Sequence, residues 1–242
     1  MIDFLFTKTV KQRNNTNMEK HSRNLVLAFD TETSGFPPKV NRSGGAPVPH
    51  ISEYPLILQL SFVIYDLNTQ SVVQEYNQYV KIAEDAVIPE KTIEVHGITK
   101  QICNLRGIPI EHVLEDFYRA YMSVDRVIGH NLAFDRKMVE VEMLRHIGKL
   151  SHIPNIMMLF NDTFNDINDI ETICTMAKGK DICNLYTTNE KTGGRWKKFP
   201  KLSELHFALF DYVPGDLHDA LMDTKVCLRC YLKMAFGIEM AF

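Results

Sequence analysis

The chain has 242 residues, with 27 Lys and Arg against 30 Asp and Glu, a net charge of −3 and 45% hydrophobic residues. That length suits one large domain or two small ones, and this composition excludes wholesale disorder. The charge excludes a globally basic nucleic-acid coat but leaves room for a local basic groove. Five cysteines, an odd and sparse set, argue against a disulfide scaffold and for a reducing compartment. No run approaches the roughly 18 apolar residues of a membrane helix, and MIDFLF is too short for a secretory signal. The expectation is a soluble, intracellular protein of cytoplasm or nucleus.

Residues 1–23 read as a flexible basic extension, with five Lys or Arg and one acid between Lys8 and Arg23 and no sustained period. One domain is expected over 24–242. The continuous apolar run Leu25–Phe29 predicts a strand buried on both faces. A Gly- and Pro-rich loop without a phosphate-loop pattern follows, from Ser34 to Pro55. Leu56–Tyr65 and Val72–Val80 predict an antiparallel hairpin. Pro109 opens a helix to Met122, with Ile110, Val113, Leu114, Phe117 and Tyr121 on one face. Arg126–Gly129 is a short strand. Leu132–Ile147 is a helix whose apolar stripe is Phe134, Met138, Val141 and Leu144. Ile170–Cys174 is a further strand, and Leu202–Phe210 and Asp219–Phe236 are the last helices. Asn155–Asp169 is polar and carries no functional assignment. Three strands followed by alternating helices and strands predict one mixed α/β sheet.

Four acids stand where burial should forbid them. Asp30 ends the first apolar strand, and Glu32, two residues on, leaves the same face. Two adjacent carboxylates need a metal or a buried cation, unless they are exposed acids at a strand end. Asp135 lies in the first turn of a helix that Asn131 could cap, where it could simply answer the helix dipole. His218 and Asp223 are five residues apart, about 140° around a regular helix. They act together only if His218 stands on the preceding loop; otherwise His218 caps the helix and Asp223 is an exposed acid.

The conjunction of Phe-Asp30-Thr-Glu32-Thr-Ser-Gly35, His130-Asn-x-x-Phe-Asp135 and His218-Asp-Ala-x-x-Asp223 resembles the DEDDh group of 3′→5′ exonucleases, the DnaQ-like enzymes. Val95-His96-Gly97-Ile98-Thr99 and Pro55-Leu-Ile-Leu-Gln-Leu60 are similar to two further elements of that family, and the resemblance covers about residues 25–235. It implies an RNase H-like mixed β-sheet of about five strands flanked by helices. It also implies two Mg²⁺ or Mn²⁺ ions, which suit hard oxygen ligands. By resemblance Asp30 bridges both ions, Glu32 and Asp223 serve the ion that holds the attacking water, and Asp135 supports the second. His218 is then the general base.

The resemblance further places the Thr31 backbone and the Thr33 side chain on the 3′ end. It puts Phe36 as a wedge between the last two bases, and His96, Ile98, His130, Asn131 and Phe134 in the terminal pocket. Ile98 and Phe134 could equally be core, and Phe36 departs from the Leu or Met more usual in the family.

Lys191–Lys201 carries five positive charges and no acid, with Trp196 and Phe199 interleaved. It is either a single-strand-binding surface or a solvated hairpin whose Trp tucks into the core. From Lys178 to Lys201 the net charge is +5, and from Lys8 to Arg23 it is +4, so the charge is asymmetric. Cys227-Leu-Arg-Cys230, with Cys174 and Cys183, lacks regular zinc spacing and reads as buried helix residues.

The resulting expectation is a 3′→5′ exonuclease acting on single-stranded or frayed DNA and releasing nucleoside monophosphates. Its alternatives are an exoribonuclease of the same family or a catalytically inactive nucleic-acid-binding protein. The partner expected is a single-stranded nucleic-acid 3′ end. Free-standing members of the family commonly form homodimers, and a polymerase partner is the other arrangement the resemblance allows.

Overall fold

The structure, a computed structural model, describes residues 23–39, 49–215, 217 and 219–241. The expected basic tail up to Ser22, part of the Ser34–Pro55 loop, and His218 lie outside the described residues. The chain begins with β1 (Leu25–Thr33), β2 (Ile57–Asp66) and β3 (Ser71–Tyr79). Next come α1 (Glu90–His96), α2 (Lys100–Arg106), α3 (Ile110–Tyr121), β4 (Arg126–Gly129), α4 (Leu132–Arg145), α5 (Ile147–Leu150) and α6 (Asp162–Ile167). The last elements are β5 (Glu171–Cys174), α7 (Thr175–Cys183), β6 (Tyr186–Thr188), β7 (Arg195–Lys197), α8 (Leu202–Phe210) and α9 (Ala220–Phe236).

The main sheet has the order β3-β2-β1-β4-β5. Its first three strands pair antiparallel, whereas β4 and β5 run parallel to β1. This is the expected five-stranded mixed sheet with helices on its faces. β1 is central and covered on both sides, as its unbroken apolar run requires. Leu27 and Phe29 enter a cluster with Phe117 of α3 and Met138 of α4. Val26 and Ala28 pack on the other face against Cys227, Leu228 and Tyr231 of α9.

Two expectations are corrected. β1 does not end at Phe29. Its ladder to β2 continues, with Asp30 opposite Ser61 and Glu32 opposite Gln59, so the two acids lie inside a paired strand. The helix expected over Leu132–Ile147 ends at Arg145, with α5 separate, and Leu144 is exposed. The buried face of α4 instead carries Leu132, Asp135, Met138, Val139 and Glu142. Glu142 is tolerated there because Arg145 pairs with it at 2.8 Å and the Ile57 N–H donates to it at 3.1 Å. Arg145 also donates to the carbonyls of Ile51, Tyr54 and Pro55, fastening the segment before β2 to α4.

The polar stretch Asn155–Asp169 is structured. Phe160 lies 5.8 Å from Phe29 and 5.0 Å from Tyr121, ring to ring. The Tyr121 hydroxyl donates to Asn165 Oδ1 at 2.8 Å. The sequence pattern marks none of α1, α2, α6 and α7, and only the hairpin alternative for Lys191–Lys201 touches the small β6–β7 sheet. Among the described residues no helix is long and apolar enough to cross a membrane.

Candidate active site

Alternation along β1 sends Asp30 and Glu32 to the α9 face, and Thr31 and Thr33 to the α4 face. Asp223 comes from the first turn of α9. Ligand oxygens of Asp30, Glu32 and Asp223 all lie within 4.8 Å of one another. Asp135, only 2% exposed, approaches from the first turn of α4. There its Oδ1 accepts from the Thr31 N–H at 3.1 Å and the Thr31 hydroxyl at 2.7 Å. The structure therefore brings together all four acids singled out from the sequence, three directly and one through Thr31.

This concentration of like charge is costly without a cation. Burial raises the Asp30 carboxyl well above its ordinary value, with Asp135, Asp223, Glu32 and Asp219 adding repulsion. Burial and the same neighbours raise Glu32 to about 8. Burial raises Asp135 to about 7, although the two Thr31 hydrogen bonds oppose it. The three clustered carboxylates, with Asp135 beside them, are hard oxygen donors whose mutual repulsion a divalent cation would relieve.

The flanking residues divide into two groups. His96 lies beside the end of β1, with Nε2 3.3 Å from the Thr33 carbonyl and Nδ1 accepting from the Ile98 N–H at 2.9 Å. The Thr33 hydroxyl donates to the Gly35 carbonyl at 2.7 Å. Phe36 is 87% exposed and stands edge-on to half-buried Phe134, 6.1 Å between rings. Asn131 occupies the N-cap position of α4 but with φ of 66° and no side-chain cap bond, so the expected capping role falls away. Its side chain is exposed. Ile98 is buried with Leu58, Ile82 and Cys103, away from solvent.

His130 has both ring nitrogens engaged by the protein, with Nε2 3.1 Å from the Pro200 carbonyl and Nδ1 3.0 Å from Thr175 Oγ1. The carbonyl partner requires the proton on Nε2, so Nδ1 accepts from Thr175. Burial lowers this imidazole to about 4, with the Pro200 bond partly opposing. Because the unfolded chain takes up a proton near 6.5 and the folded chain resists it, His130 destabilises the fold progressively as pH falls from 6.5 to 4. The full effect is about 3 kcal/mol. An NMR titration of the His130 ring should show a midpoint near pH 4; a midpoint near 6.5 would contradict this placement.

Four polar residues around the acids escaped the sequence reading. Asp219 is the N-cap of α9, its Oδ1 accepting from the Leu221 and Met222 N–H groups at 3.1 and 3.2 Å. The capping role considered for His218 thus belongs to Asp219, and position 218 precedes the helix. Gln59 Nε2 donates to Asp219 Oδ2 at 3.4 Å and to Asn77 Oδ1 at 2.7 Å. The Ser61 hydroxyl donates to the same Asn77 oxygen at 2.7 Å. The available signal was two polar residues at alternate positions of an otherwise apolar strand, facing Asp30 and Glu32 across the ladder.

The family model of RNase_T, described as exonuclease, matches residues 27–231. A comparison with curated proteins finds no match. Among solved structures the chain is similar to Escherichia coli Exonuclease I in complex with a dA16 oligonucleotide. The TM-score is 0.60 and the identity 15%, over 88% of this chain and 41% of that one. The zinc-bound Exonuclease I–ssDNA complex gives 0.62 and 15%, over 89% and 42%. The apo form gives 0.61 and 15%, over 89% and 43%. The chain thus spans about two fifths of the length of Exonuclease I, and at this identity the likeness is one of fold.

Proposed function

The chain belongs to the RNase_T family of exonucleases, and on that premise we propose that it removes nucleotides one at a time from the 3′ end of single-stranded or frayed DNA. The observation that carries this reading is the convergence of the Asp30, Glu32 and Asp223 oxygens within 4.8 Å, with Asp135 sealed behind them. These four residues would hold two divalent ions, Mg²⁺ or Mn²⁺. When bound, such ions activate a water and neutralise charge on the attacked phosphate. Thr31 keeps Asp135 in place through its N–H and hydroxyl.

His218 takes the proton of the attacking water as the new P–O bond forms. The P–O bond to the 3′ oxygen of the preceding nucleotide breaks, releasing a nucleoside 5′-monophosphate and a strand one residue shorter. Exposed Phe36, beside Phe134, meets the terminal bases, and His96 and Asn131 border the same end. DNA is favoured because Exonuclease I, of the same fold, binds dA16 and dT13 oligonucleotides. Splayed carboxylates would have supported the inactive-protein alternative, and the convergence of Asp30, Glu32 and Asp223 favours the nuclease instead.

The test is a gel assay on 5′-labelled DNA and RNA single strands of one sequence, with Mg²⁺ and with EDTA. The proposal expects a ladder shortening from the 3′ end, abolished by EDTA and faster on DNA. Faster loss of RNA would make the chain an exoribonuclease, and no shortening of either strand would overturn the nuclease reading.

A further inference from the structure

We propose that the β6–β7 hairpin is a second nucleic-acid site, which docks the single-stranded segment trailing away from the 3′ end; this rests on the nuclease reading above. Tyr186 pairs with Lys197, Thr187 with Trp196 and Thr188 with Arg195. Residues directly opposite in an antiparallel pair share a face, so Tyr186, Arg195 and Lys197 project on one side and Trp196 on the other. Neither side is fully covered: Tyr186 and Trp196 of the hairpin are 46% and 50% exposed, and the adjacent Phe199 is 51% exposed. Trp196 is therefore not tucked into the core.

Cations are held against these rings. Arg195 Cζ lies 4.3 Å from the Tyr186 ring centre, and Lys180 Nζ lies 4.5 Å from that of Phe199. Lys197 and Lys198 are engaged with Asp181 and Glu204, each at 2.6 Å. Lys191 and Arg195 have no carboxylate partner among the described residues.

The charge identifies the occupant. Residues 178–201 carry +5 in a chain of −3, so an anion is drawn to this segment of the described fold. Exposed aromatics add nothing for a plain polyanion, but they stack on unpaired bases, whose faces a duplex hides. Position supports the same occupant. The segment leaves from the end of α7 and returns through Pro200, whose carbonyl is held by His130. His130 directly precedes Asn131 and the helix that carries Asp135, so the hairpin is rooted beside the acid cluster.

Trp196 is the sole tryptophan, so its emission reports stacking directly. The full chain, kept in EDTA, is titrated with oligothymidylates of about three and about twenty nucleotides, lengths that fall below and above the usual span of a single-strand groove. The proposal expects the long strand to quench the emission and the short one to leave it unchanged. Trp196→Ala should weaken long-strand binding about tenfold while leaving Mg²⁺-dependent cleavage of the short strand intact. Lys191→Glu with Arg195→Glu should flatten the salt dependence of log affinity by about 1.4. No quenching, with long-strand affinity unmoved in both variants, would overturn the proposal even if cleavage is normal. Quenching by the long strand in a chain that cleaves nothing would keep the docking surface and remove the nuclease reading.

Discussion

Asp30→Asn is expected to slow phosphodiester hydrolysis by about 10³-fold or more while raising the melting temperature of the metal-free chain at pH 8. The loss follows from removing a central ligand: metal stabilisation of the transition state is worth several kcal/mol, and each 1.4 kcal/mol is about tenfold in rate. The gain in stability follows from the electrostatics. Asp30 is half-buried among Asp135, Asp223, Glu32 and Asp219, and desolvation and their charge raise its carboxyl well above the ordinary range. The folded chain therefore keeps a proton that the unfolded chain has released.

Between the ordinary carboxylate range and the raised values the folded state binds more protons, so metal-free stability falls as pH rises. Glu32, raised to about 8, and Asp135, raised to about 7, act in the same direction. The neutral Asn carries no such penalty. Bound Mg²⁺ reverses the balance because it favours the ionised cluster. Melting curves at pH 6 and pH 8, with and without Mg²⁺, check this. Wild type without metal should melt higher at pH 6, and Mg²⁺ should raise its melting temperature more at pH 8 than at pH 6. Each 1 kcal/mol corresponds to about 2–4 °C for a chain of this size. An Asn variant that melts lower than wild type without metal, with unchanged hydrolysis, would contradict the assignment.

His218→Ala is expected to lower the rate by about 10²- to 10⁴-fold, the usual worth of a positioned acid–base group, without changing the Mg²⁺-dependent rise in melting temperature. Inside one regular helix His218 and Asp223 would point about 140° apart. The capping of α9 by Asp219 removes that conflict, because position 218 precedes the helix. The segment before it is tethered at Tyr212, whose carbonyl lies 2.8 Å from Nδ1 of buried His206. A His218→Ala chain that cleaves at the wild-type rate would end the general-base assignment, and one that also loses the Mg²⁺ effect would make His218 a metal ligand instead.

The sheet was legible because its strands are written in strong local terms. An unbroken apolar run marked β1, two strand-like runs around a turn marked β2 and β3, and an apolar stripe at helical spacing marked α3. α4 was harder, since its buried face includes Asp135 and Glu142, acids that any apolar stripe leaves out. Those acids are tolerated only through Thr31, Arg145 and the Ile57 N–H, partners up to 104 positions away in the chain. The short helices α1, α2 and α6 depend on tertiary packing for their stability and left no periodic trace.

The site was legible where order and spacing did the work, in Asp30, Glu32, Asp135 and Asp223. It was illegible where a residue acts through a neighbour brought close by the sheet, as with Gln59, Ser61, Asn77 and Asp219. His130 illustrates the opposite hazard. Its motif position suggests a terminal pocket, whereas both of its ring nitrogens are engaged by Pro200 and Thr175.

The most direct test of the central claim, that these four acids form a divalent-metal centre for phosphodiester hydrolysis, is anomalous diffraction from crystals of the chain grown with Mn²⁺ and a nucleoside monophosphate. The account predicts manganese peaks among Asp30, Glu32, Asp135 and Asp223, with the phosphate of the nucleotide against them. Crystals that bind the nucleotide while showing no manganese at these carboxylates would contradict it.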